Sequence, residues 1–590
     1  MIQDSAYSTT ISAAGYSRAG ILKFFIAIAA VSFILRIWYA GNLYQDDGLW
    51  FTAAEEILRG KALYREVFFD KPPGLPLVYA ALFKVFGPHI MTIRLFTICY
   101  SVIIATLLYL FGSRLYDKRT GLVSAALFSV FSTTYVSGDM QSLNTEFLMT
   151  PFYATGAYLF ILSGLDFIRS GKGSRALRLG LAGGCMTGLA FQINPKGVFD
   201  LIFLALLLLV APAIGLARPA SAITYVVGAS RFVAVALAGV ILASVPFLFY
   251  IGATHSLSQY RFYVWDWGFR YAAYYPLSRA GEVFLRHGTD YFLINNTLLI
   301  GLVVTAGVTF RRGLRRFRDQ REVQPDRRSI LVFGSDASLL IWFGVSFLGV
   351  AAGGRFFAHY YFQVLPSLCL IGARGLVVAF LNLRARNRTC LSLAVILLSG
   401  GFLYTLVRSH RDTVELAGEY LRGERSDTNR ETRTVAAVVR DLPDPANAAA
   451  RTGSEDIREH GPRSRAANGL PDYLFVWGNW PEIYYWSGLL PASRYLSAQP
   501  LTGVPADVHY AQEGYRSILD ASVTAAARTE LLRDLVQTPP GYIVDELGFR
   551  DDRLSIERYP ELNDFMKNYD RRSLDDRIPI YIRRARTSAR

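Results

Sequence analysis

Apolar blocks of membrane-spanning length, separated by charged or Pro- and Gly-rich punctuation, recur from Ile21 to Val407. A helix needs roughly 20 such residues to cross a ~30 Å hydrocarbon layer. Eleven candidate helices follow, starting near Ile21, Ile90, Gly121, Glu146, Leu179, Val198, Phe232, Tyr291, Ser338, Phe356 and Thr389. The first block follows Arg18 and Lys23 but is too long for the apolar core of a secretory signal, so it reads as an uncleaved first helix. From about Arg408 the pattern turns polar, with a charged stretch from Arg422 to Arg433 and a Pro-, Gly- and Arg-rich patch from Pro443 to Pro471 that reads as flexible. Beyond it, Tyr473 to Gly478 predicts a buried strand, Pro481 to Ser487 and Ala521 to Val536 predict helices, and Gly541 to Asp545 predicts a second strand. That order predicts a small α/β domain. The chain therefore divides into a membrane domain, 1–407, a polar and partly flexible linker, 408–472, and a C-terminal α/β domain, 473–590.

Charge changes the picture by fixing an orientation. The 62 basic and 47 acidic residues leave a net +15, which in a soluble chain would suggest nucleic acid. Here the basic residues gather in alternate links: Arg114, Lys118 and Arg119; Arg169, Lys172, Arg175 and Arg178; Arg218 and Arg231; Arg311 through Arg328; Arg384, Arg386 and Arg388. The positive-inside bias makes those links cytoplasmic, and no nucleic-acid partner is implied. With an odd number of helices and the N-terminus inside, residues 41–88, 137–145, 252–290 and the C-terminal domain face outward. Cys99, Cys185, Cys369 and Cys390 all fall in apolar blocks, so neither a disulfide framework nor zinc-ligand spacing is present.

The candidate chemistry lies in the outward segments. Between Tyr44 and Gly60, Trp50, Ala54, Ile57 and Leu58 share one helical face and Glu55, Glu56 and Arg59 the other, predicting a helix lying in the membrane interface. Asp46 and Asp47 stand at its start, where helix capping competes with a catalytic role. Asp70-Lys-Pro-Pro-Gly74 leads into a second interfacial helix, Leu75 to Phe86, and Lys71 supplies a cation opposite the aspartates. In Asn194-Pro-Lys-Gly197, Lys196 is either a phosphate contact or a snorkelling lysine in a turn. His359 is weighed as a hydrogen-bonded structural histidine against a binding role. In the 252–290 segment, Tyr260, Arg261, Trp265, Asp266 and Arg270 interleave aromatic rings with charge, suited to a sugar and also to an aromatic belt at headgroup level. That segment is expected to be a loop covering part of a site.

The acidic pair opening one outer helix, the Lys-Pro-Pro element before the next, Asn144-Thr-Glu146, and Gly354-Arg-Phe-Phe-Ala-His-Tyr-Tyr-Phe-Gln-Val-Leu-Pro366 occur in an order that resembles the GT-C membrane glycosyltransferases. The branch is that of the lipid A aminoarabinose transferase and the protein O-mannosyltransferases. The resemblance implies a polytopic α-helical membrane enzyme, multi-pass in the inner (plasma) membrane. It implies inverting transfer of a sugar from a polyprenyl-phosphate carrier to an acceptor hydroxyl on the outer face, the acceptor being a glycan, a lipid or a protein. It makes Asp46 the catalytic base, places Asp47 and Glu146 at the accompanying acidic positions of the catalytic motif, and makes Lys71, Arg355, His359 and Tyr360 contacts to the donor phosphate. No cofactor is required by this scheme, while a divalent metal held by the carboxylate pair stays open. The competing class is a transporter or flippase of lipid-linked sugars, which favours repeated halves and broken helices near the midplane. No internal repeat is visible.

Overall fold

A computed structural model describes residues 17–44, 46–170, 174–217, 221–318, 327–386, 388–424, 428–442, 473–509, 516–574 and 577–584. The patch between Pro443 and Pro471 lies outside the described residues. The bundle contains Arg18–Arg36, Ile90–Leu115, Lys118–Phe131, Thr145–Ser170, Ser174–Phe191, Phe199–Val210, Ala222–Ala253, Asn296–Arg318, Arg327–Ala351, Leu365–Arg386 and Arg388–Ser409. These helices match the eleven expected ones in order. Among the described residues eight helices are long and apolar enough to cross a membrane. The protein is a multi-pass membrane protein.

The three remaining helices of the bundle are held by packing. Ser174–Phe191 is rich in glycine, and a Cβ on Gly184 would lie 2.8 Å from the Ala236 carbonyl carbon, while one on Gly239 would meet the Cys185 nitrogen at 2.8 Å. Small residues thus let this helix and Ala222–Ala253 approach backbone to backbone, the usual device where water offers no driving force for helix association.

The segments between the bundle helices depart from expectation in two places. The helix Asp47–Leu58 is not spread on a lipid face: Trp50, Ala53, Ala54 and also Glu56 are buried. Glu56 pairs with Arg59 at 2.7 Å and with Lys61. The helix is buried because it lies between the helix Gly74–Phe86 and the C-terminal domain, where Phe51 meets Tyr485 with ring centroids 4.6 Å apart. The 252–290 segment is a chain of short helices, among them Leu257–Tyr260, Trp267–Ala272 and Leu277–Val283, because its aromatic residues find partners within the protein.

The C-terminal domain carries a five-stranded mixed sheet: β1 Tyr473–Trp477, β2 Leu490–Pro491, β3 Tyr542–Asp545, β4 Tyr569–Leu574 and β5 Ile578–Arg583, in the order β2-β1-β3-β5-β4. The expected strand pair is present, β1 and β3 running parallel with Val476 opposite Val544. The antiparallel hairpin β4–β5 adds an edge that the sequence reading did not include. Phe475, Trp477, Leu531, Leu535 and Ile543 form this domain's own core. Helices Arg411–Leu421 and Arg430–Asp441 occupy part of the stretch read as a linker. Asn429 there bonds the backbone of Leu43 on both sides, at 3.0 and 2.8 Å, which ties the connection to the segment after the first helix.

Candidate active site

The two neighbouring aspartates have opposite fates. Asp47 turns inward and is 1% exposed. Its Oδ2 lies 2.5 Å from Nη2 of Arg94 and accepts the Tyr44 N–H at 3.1 Å; its Oδ1 accepts the Ser142 hydroxyl at 2.6 Å and the Tyr79 phenol at 3.4 Å. Arg94 gives further donors to the carbonyls of Tyr39, Asn42 and Gln141. Asp47 is thus committed to holding the 41–60 segment onto helix Ile90–Leu115, which leaves its carboxylate no open acceptor for the catalytic part read from the sequence.

Asp46 sits at the N-cap of the same helix but makes no capping hydrogen bond with its side chain. It is exposed to solvent although protein surrounds it, so it lines a recess. That surrounding protein pushes its carboxyl up to about 6; Lys71 pulls it down, and Asp70 and Asp139 add to the push. An accessible carboxylate of raised proton affinity suits a general base.

Around it stand three cations and a histidine, each with an anion of its own. Lys71 lies 2.9 Å from Asp70, and Lys196 lies 3.1 Å from Glu146. His359 donates its backbone N–H to Asp139 at 3.0 Å and sets Nδ1 2.8 Å from the other oxygen. Arg355 donates from Nε to Asp507 of the C-terminal domain at 2.8 Å. These pairs share one electrostatic neighbourhood: Asp46 feels Lys71 and His359, Lys71 feels Asp46 and Glu146, and Lys196 feels Lys71 and Arg355. Elements more than 300 residues apart in the chain, from Asp46 to Arg355, therefore converge on one end of the bundle.

Lys196 does not snorkel. Its ammonium is drawn inward onto Glu146 and 3.0 Å from the centroid of the Tyr360 ring, a cation–π contact. Burial pushes it down to about 8 against the opposing pull of Glu146. Burial likewise pushes His359 down, but the charge and hydrogen bond of Asp139 outweigh it and the imidazole ends raised.

The aromatic segment contributes differently from expectation. Tyr260 packs on Tyr64 and Trp265 stacks on Phe191, with centroids 5.2 and 5.7 Å apart. Arg261 and Asp266 are exposed, and Arg270 donates to the Ile518 carbonyl of the C-terminal domain at 3.1 Å. Tyr271 reaches the charged cluster, its ring 3.5 Å from the Arg355 guanidinium carbon and 6.0 Å from the Lys71 ammonium, and the Tyr275 and Tyr274 rings lie 4.9 and 6.0 Å from the same guanidinium. Tyr260, Trp265 and Arg270 instead brace the segment against its neighbours.

The C-terminal domain adds a further carboxylate. Gly48 packs so tightly on the start of helix Glu482–Ser487 that a Cβ there would meet the Glu482 nitrogen at 2.6 Å. Burial, aided by Glu546, Asp46 and Asp47, pushes Glu482 up to about 8. Arg94, Glu482 and Asp507 were not singled out from sequence, and Tyr271 only as one ring of the aromatic segment. Arg94 alone carried a usable signal, since a charge inside an apolar helix needs a buried partner. Among the described residues no group of three or more His, Cys, Asp or Glu is arranged to hold a metal ion.

Residues 70–242 match the family described as dolichyl-phosphate-mannose-protein mannosyltransferase, a span that includes Lys71, Glu146 and Lys196. Among solved structures, the chain is similar to ArnT from Cupriavidus metallidurans bound to undecaprenyl phosphate, with a TM-score of 0.54 and 14% identity over 96% of this chain and 98% of that one. It is also similar to the oligosaccharyltransferase of Archaeoglobus fulgidus, with a TM-score of 0.54 and 14% identity over 95% of this chain and 74% of that one. At this identity the likeness is one of fold, and at that level the expected polytopic helical membrane bundle followed by a region with a β-sheet is met. No curated protein matches the chain by sequence.

Proposed function

We propose that the protein is an inverting glycosyltransferase that moves a sugar from a polyprenyl-phosphate carrier to an acceptor hydroxyl at the outer face of the plasma membrane. The N-terminus is cytoplasmic in this reading and the C-terminal domain lies outside. The observation that carries the proposal is Asp46, an accessible carboxylate without a hydrogen-bonded cap, set beside Lys71 and within a cluster that includes Lys196 and Arg355. The fold it shares with a protein solved with undecaprenyl phosphate supports the choice of donor.

The chemistry follows from the bond to be broken. A sugar 1-phosphodiester has a leaving group that is stable as an anion, so a general acid is dispensable. The reaction needs a base for the proton of the attacking hydroxyl and fixed positive charge for the departing phosphate. Asp46 takes the proton as the hydroxyl oxygen bonds to the anomeric carbon. The carbon–oxygen bond to the carrier breaks, and the electron pair leaves with the phosphate toward Lys71 and Arg355. Glu146 holds Lys196 in place beside them. A single displacement inverts the anomeric centre.

The direct test is to incubate purified protein with a panel of polyprenyl-phosphate sugars and candidate acceptors, measuring released polyprenyl phosphate. Release that depends on Asp46 is the expected result. Near-normal release by folded Asp46→Asn protein rejects the assigned base. A transport function has no comparable support, since Asp46, Lys71, Lys196 and Arg355 share one neighbourhood and the sequence shows no repeated half.

A further inference from the structure

Arg355 is anchored in an unusual way for a residue that is to bind a ligand. Its side chain is 1% exposed, and a guanidinium has five N–H donors to place. Nε donates to Asp507 Oδ2 at 2.8 Å, and Nη1 donates to the carbonyls of Tyr271 at 2.9 Å and Gly353 at 3.3 Å. The guanidinium carbon lies 3.5 Å from the centroid of the Tyr271 ring. Nη2 is buried and has no partner among the described residues. Both open donors are therefore on one nitrogen, while Nε and Nη1 are taken; Asp507 Oδ1 is likewise buried with no hydrogen-bond partner among the described residues. Arg355 acts electrostatically on Lys196 and Tyr360, which places it against the charged recess.

The lock comes from the C-terminal domain. Asp507 lies on the short helix Ala506–His509, whose Val508 packs with Tyr274 and Val504. The Tyr275 phenol lies 3.4 Å from the same Asp507 oxygen that holds Arg355. The backbone before Arg355 is equally constrained: Gly353 and Gly354 have φ of 86° and 67°, and a Cβ on Gly354 would meet Ala280 Cβ at 2.6 Å. Everything around the guanidinium fixes its plane except the one nitrogen left open.

We propose that Asp507 is a positioning residue that aims Nη2 of Arg355 at a phosphoryl oxygen of the lipid-linked donor, making the C-terminal domain part of the donor site. The inference rests on the donor-phosphate reading of Arg355 given above. Its sign is opposite to that of simple charge balance. Removing Asp507 adds a net positive charge beside an anionic ligand, which by Coulomb's law alone tightens binding. Loss of aim weakens it.

The experiment measures undecaprenyl phosphate binding and donor steady-state kinetics for the full chain in detergent, with thermal unfolding in parallel. Asp507→Ala is expected to raise both the Kd and the donor KM about tenfold, with kcat changed much less, the pattern of lost ligand binding. Asp507→Asn keeps an oxygen for Nε and is expected to stay within about threefold of the parent. Asp507→Ala added to Arg355→Ala is expected to change nothing further, because the two act through one contact. Should Asp507→Ala fail to fold, Asp507→Ser serves with the same expected loss. Binding by the alanine or serine variant as tight as the parent or tighter overturns the proposal and leaves Asp507 a charge-balancing group. Parent-like binding by Arg355→Ala overturns the donor-phosphate reading itself, so the two failures are told apart.

Discussion

Two clusters of buried charge are built into this bundle, and they are finished to different degrees. Asp336 lies fifteen residues before the end of helix Arg327–Ala351, about 22 Å along its axis at 1.5 Å per residue. Both of its oxygens are taken, by Arg312 at 3.1 Å and Arg374 at 3.4 Å, and Arg374 lies over the Tyr116 ring. At the other end of that helix the cations also have partners, but Asp46 is left without a hydrogen-bonded cap and Arg355 Nη2 without an acceptor. A complete cluster holds helices together. An incomplete one keeps the same kinds of group available to a ligand, and the adjacent residues Asp46 and Asp47 repeat the contrast within a single turn.

Substitutions at these carboxylates sharpen the comparison. Asp46→Asn removes a base without breaking an ion pair and is expected to lower kcat/KM by about 10² to 10⁴-fold, the usual range for such a group, while the protein stays folded. Asp336→Ala and Asp47→Ala each leave buried arginine charge uncompensated, which costs about 3 to 5 kcal/mol. Thermal unfolding in detergent should show large losses for both. For Asp336→Ala, turnover per folded molecule should hardly change. A turnover loss in Asp336→Ala at unchanged Tm would break the division between the two clusters.

How far these roles were legible depends on the range of the interaction. The helices of the bundle could be read because their signal, a run of apolar residues matched to hydrocarbon thickness, is local. Asp46 and Lys71 stood out because they share one outer segment with turn-forming prolines. Asp47 looked like the equal of Asp46 because nothing nearby in the chain reveals that Arg94, Ser142 and Tyr79 converge on it. The burial of Glu56 and the parts of Glu482 and Asp507 depend on how the C-terminal domain docks, a contact between segments more than 400 residues apart for Glu56 and Glu482 that no periodicity records. The aromatic segment was misjudged in detail for the same reason: interleaved rings and arginines signal an interface, and the tertiary contacts decide that Tyr271 faces the recess while Arg270 grips the domain above.

Lys71→Met is expected to have a smaller effect, raising donor KM about tenfold by removing one phosphate contact. It should also move the pH profile. Asp46 must be ionised to act as a base, so kcat/KM falls as pH drops through its pKa, which burial has raised to about 6 and which Lys71 holds down. That fall is the acid limb of the profile. Taking Lys71 away should move the limb to higher pH; an unmoved limb would separate Lys71 from Asp46.

The smallest effect is on stability, and its sign is diagnostic. A carboxyl whose pKa is higher folded than unfolded holds its proton more tightly in the folded state, so stability falls as pH rises from the unfolded value toward the folded one. Ionised Asp46 therefore slightly destabilises the protein at neutral pH, as expected of a group kept for chemistry. Asp46→Asn should raise Tm at pH 7 and lose that advantage at pH 4, where the parent carboxyl is protonated when folded. Asp47→Asn should lower Tm at pH 7, because its carboxylate is held by Arg94. Opposite shifts from two adjacent aspartates would separate the residue that serves a ligand from the one that serves the fold.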